Sequence, residues 1–171
     1  RPVNSLDALM RFYPLYAAQF ESHAEPFESY AQWGAGLLKD LNDIDRQGAD
    51  PALVWRATAE WEALEQWGRS EEVTGAGRRR RLALLQALPL LHTQWHEALR
   101  ADGTGTTGLI MRTASPADRG PDPDAWNRLR SEWGIDRWVF AGFNALTPCE
   151  EALFRWVLER GEAVVRFDAD A

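Results

Sequence analysis

Four consecutive arginines, Arg78, Arg79, Arg80 and Arg81, stand out first among the residues that could do chemistry. Cations at the start of a helix oppose its macrodipole and gain nothing from it, so something else must compensate them. One reading is a solvated basic turn balanced by Glu71 and Glu72, as charge runs commonly are. The other is a contact with a phosphate backbone. Arg78, Arg79, Arg80 and Arg81 are therefore the candidate DNA-binding residues.

Other patterns fall short of a reaction centre. A phosphate-cradling P-loop needs a Gly-rich turn that ends in Lys and Ser or Thr, but Thr74-Gly75-Ala76-Gly77 runs into arginines and Gly103-Thr104-Gly105-Thr106-Thr107-Gly108 runs into Leu109. Asp43-Ile44-Asp45-Arg46-Gln47-Gly48 begins like a calcium loop, yet Val54 stands where the bidentate Glu is required. His92 and His96 lie one helical turn apart and offer two metal ligands where a zinc site needs three or four. Asp168 and Asp170 follow a strand-like run, as nuclease carboxylates do, without the Lys that would steady charge beside them. Gly-x-Ser-x-Gly is absent. The expectation is a segment with no catalytic residue, no metal and no cofactor of its own.

The elements that would position these residues are mostly helices. Asn4 or Ser5 caps a helix that carries Leu6, Leu9, Met10 and Tyr13, and Pro14 should kink or restart it. Phe27, Tyr30, Gly34, Leu37, Leu38 and Leu41 step by three and four, which predicts one buried stripe. Asp50-Pro51 is a cap with Pro at the first helical position, and Gly68 is the matching stop. A long helix follows from about Arg79 to Leu99, bent at Pro89, and then a short one over Gly108 to Ala114. Ser115 to Asp124 reads as a linker before a helix marked by Trp126, Leu129 and Trp133.

From Asp136 the pattern changes. Trp138-Val139-Phe140-Ala141 is a continuous apolar run, as in a strand buried on both faces. Thr147-Pro148-Cys149-Glu150 is a capping box, and Gly161 ends the helix that it starts. Ala163 to Phe167 is a second apolar strand, so the last third reads as a parallel crossover. The expected fold is α+β and mainly α, with a helical subdomain over residues 1–133 and a strand-helix-strand unit over 134–171. Most of the nine tryptophans fall on apolar stripes and are expected in the core.

Two stretches carry a resemblance. Trp33-Gly34-x-x-Leu37-Leu38-x-Asp40-Leu41-Asn42-Asp43-Ile44-Asp45 and Phe140-Ala141-Gly142-Phe143-Asn144-Ala145-Leu146-Thr147-x-Cys149-Glu150 resemble the N-terminal, helicase-like half of PD-(D/E)XK nuclease family proteins of the Bacteroidetes type, related to the AddB-like subunit of helicase-nucleases. Gly108-Leu109-Ile110-Met111-Arg112 resembles a third block. The resemblance implies a large double-strand-break repair protein in which residues 1–133 are a helicase 1B-like insertion and 134–171 belong to a nucleotide-binding-like lobe. Active motors of that kind end the strand in acids that hold magnesium, whereas this chain reads Ala141-Gly142-Phe143-Asn144, which implies a degenerate, scaffolding or DNA-scanning lobe.

Composition limits the partners. A net charge of −7 disfavours broad nucleic-acid binding, so any DNA contact should be weak and local. The remaining expected partners are other domains of the parent protein and a helicase subunit. The rival expectation is an interaction module that joins subunits without touching DNA. No apolar run reaches membrane-spanning length, and the lone Cys149 permits no intrachain disulfide, which fits a cytoplasmic protein. With no initiator Met, the chain reads as an excised segment.

Overall fold

The computed structural model describes residues 1–64, 75–115, 121–143 and 145–166. Among them the fold is α+β and mainly helical: α1 (Ser5–Phe20), α2 (Phe27–Arg46), α3 (Pro51–Leu64), α4 (Ala76–Ala101), α5 (Thr107–Ala114), α6 (Pro123–Trp133), β1 (Trp138–Ala141), α7 (Pro148–Glu159) and β2 (Ala163–Arg166). The chain forms two compact units, one of residues 1–44 and 49–106, the other of residues 45–48 and 107–171. The division expected after residue 133 thus falls inside the second unit.

In the first unit, Asn4 caps α1 by accepting a hydrogen bond from the Asp7 amide, and Ala8, Phe12 and Tyr16 form its buried stripe. Helix α1 runs on through Pro14 without restarting there. A helical Pro forfeits one backbone hydrogen bond, and the burial of Phe12 and Tyr16 on either side of it offsets that loss. Asp50 caps α3 through the Ala52 amide. Helix α4 begins at Ala76, earlier than its apolar periodicity indicates, and buries Leu85, Leu88, Leu91, Trp95 and Leu99 along one side. Phe12 meets Trp95 edge to face with ring centroids 5.6 Å apart.

In the second unit, β1 and β2 pair in parallel from Trp138 opposite Ala163 to Ala141 opposite Arg166. The helix between them carries the expected capping box, with Thr147 and Glu150 exchanging hydrogen bonds. The core gathers Trp126, Val157 and Ala163, with Trp138, Phe140, Leu153 and Trp156 packed against it. Strand β1 departs from the expectation of burial on both faces: Trp138 and Phe140 are half-buried, while Val139 and Ala141 are exposed. Only a sheet covered on both sides hides every residue of a strand, and here one face of β1 meets the aromatic core.

Candidate functional site

Arg78, Arg79, Arg80 and Arg81 all lie in the opening turns of α4, whose N-cap residue, Gly75, supplies no side-chain hydrogen bond. The side chain of Arg78 and the expected partners Glu71 and Glu72 lie outside the described residues. Arg80 makes an ion pair with Glu25 at 2.9 Å and donates to the carbonyl of His23 at 3.0 Å. Arg81 lies 3.4 Å from the carboxylate of Glu62 on α3. Arg79 is exposed. Arg80 and Arg81 are thus ion-paired with acids brought by distant segments, while their side chains stay 43% and 69% exposed.

Glu25 is the hub of this arrangement. Its second carboxylate oxygen accepts the indole N–H of Trp33 at 2.8 Å, its carbonyl accepts the hydroxyl of Tyr13, and its amide donates to the hydroxyl oxygen of Tyr16. Around it Tyr13, Tyr16, Phe27, Tyr30 and Trp33 pack as one aromatic cluster. Burial, reinforced by Tyr16, pushes the Tyr30 phenol far above its ordinary range, so it stays a neutral donor to the Leu9 carbonyl. A cavity of about 170 Å³ opens beside this cluster, walled by Tyr16, Phe20, Trp33, Leu84 and Arg81. Among the described residues, Glu21, Glu25 and Glu62 are the acids near Arg79, Arg80 and Arg81.

The second unit joins residues from distant parts of the chain. Asp45, which is 1% exposed, places its carboxylate 3.7 Å from the guanidinium of Arg112. The Cys149 thiol donates to the Asp45 carbonyl at 3.8 Å, and Arg46 lies 3.9 Å from Glu150. Ser115 donates to the carbonyl of Cys149 at 3.0 Å. The would-be calcium loop is not a loop, because α2 runs through Asp43 and Asp45 to Arg46, and Asp43 is paired with Lys39. At the carboxyl end of β1, where open parallel sheets bind ligands, stand Gly142, with φ of 77°, and Phe143. Phe143 packs edge-on against Phe154, so this end of the strand is an apolar turn. Asn144, Asp168 and Asp170 lie outside the described residues.

His92 and His96 are both buried on α4, with ring centroids 4.5 Å apart. The indole N–H of Trp55 donates to Nδ1 of His92 at 3.3 Å. An Nδ1 that accepts leaves the proton of a neutral imidazole on Nε2, so His92 is set up as a hydrogen-bonding member of the core.

No family model, curated protein or solved structure matches this chain.

Spacing could not reveal the roles of Glu25, Glu62 and Arg112, because each partner comes from another part of the chain. One signal did exist. Four cations at a helix start demand acids, and the search for them belongs to the whole chain and not to the adjacent loop alone.

Proposed function

We propose that the chain is a non-catalytic scaffolding segment of a larger double-strand-break repair helicase-nuclease of the PD-(D/E)XK, AddB-like kind. The observation that carries this reading is the parallel crossover of the second unit, whose first strand ends in Gly142 and Phe143 where a motor would hold magnesium with acids. Catalysis of phosphoryl transfer rests on a phosphate cradle, a Lys and metal-holding acids, and the apolar turn packed on Phe154 supplies none of them. Titration calorimetry with ATP and magnesium tests the reading, with no measurable heat of binding expected. A micromolar dissociation constant would overturn it.

A second reading, in which the segment also contacts DNA, is favoured by one observation, the exposure of Arg79, Arg80 and Arg81 on the first turns of α4. It is disfavoured by the engagement of Arg80 and Arg81 with Glu25 and Glu62. DNA binding that falls steeply with salt separates the two, since phosphate contacts release counterions.

A further inference from the structure

We draw no further inference here: the strongest candidate, the buried side-chain pair of His92 and His96 on α4, offers two metal ligands within its own unit where a zinc site needs three or four, and Nδ1 of His92 already accepts the indole N–H of Trp55.

Discussion

The guanidinium of Arg80, in the opening turns of α4, lies 2.9 Å from the carboxylate of Glu25, which also accepts the indole N–H of Trp33 at 2.8 Å. This pairing ties the start of α4 to the aromatic cluster of α1 and α2, and it converts a cation that would oppose the α4 dipole into a structural link. Arg80→Gln should lower the stability of the first unit by about 1 kcal/mol, the upper range for a partly exposed pair. Urea unfolding followed by tryptophan fluorescence measures it. A variant as stable as the wild type would mean that the pair contributes nothing.

Gly34 and Gly36 lie two residues apart on opposite sides of α2, and they should respond in opposite ways to alanine. A Cβ on Gly34 would lie 2.6 Å from the Tyr30 ring, whereas a Cβ on Gly36 would meet open space. Gly34→Ala should cost about 1 to 3 kcal/mol through overpacking, despite the better helix propensity of Ala. Gly36→Ala should stabilise by up to about 1 kcal/mol. Thermal denaturation of the two variants side by side checks the contrast, and equal shifts would refute it.

Asp45 is among the most buried acids of the chain, and Arg112 is its cation in the second unit. Losing Arg112 removes part of the charge compensation that the buried Asp45 receives. Arg112 is itself part-exposed, so the loss in Arg112→Met should be about 2 kcal/mol. Chemical denaturation gives the number, and a loss below about 0.5 kcal/mol would show that Asp45 draws its compensation elsewhere.

Glu162 links three groups in the second unit, accepting from Trp126 at 2.8 Å and lying 2.8 Å from Arg130 and 3.2 Å from Arg160. Burial alone would raise its pKa, but the Trp126 hydrogen bond and the two guanidinium groups outweigh it and hold the carboxyl below the usual glutamate range. A depressed folded pKa contributes stability that is present above the unfolded value and lost as pH falls through the folded one. The melting-temperature gap between wild type and Glu162→Gln should therefore be full near pH 7 and close at acidic pH. A gap that stays constant down to pH 3 would contradict the linkage.

Local chemistry was legible in the sequence because it is local: the Asn4 and Asp50 caps, the Thr147-Glu150 capping box and the apolar stripes of α2 and α4 depend on neighbours within a turn or two. Strand β1 was misleading because an apolar run reports what a residue tolerates and not how many layers cover it. Arg80 with Glu25 and Asp45 with Arg112 were invisible because tertiary folding alone brings them together.

In the scaffolding function proposed above, the arginine run serves the fold. Its most direct test is fluorescence anisotropy of labelled duplex and single-stranded DNA titrated with the intact chain, at low salt and again at physiological salt, beside a variant with Arg78, Arg79, Arg80 and Arg81 replaced by Gln. The expected dissociation constant is no tighter than about 10⁻⁴ M, at the weak edge of non-specific binding, with the same shallow salt slope for both proteins. Micromolar binding by the intact chain, with a steep slope that flattens by about one unit for each phosphate contact removed in the variant, would contradict it.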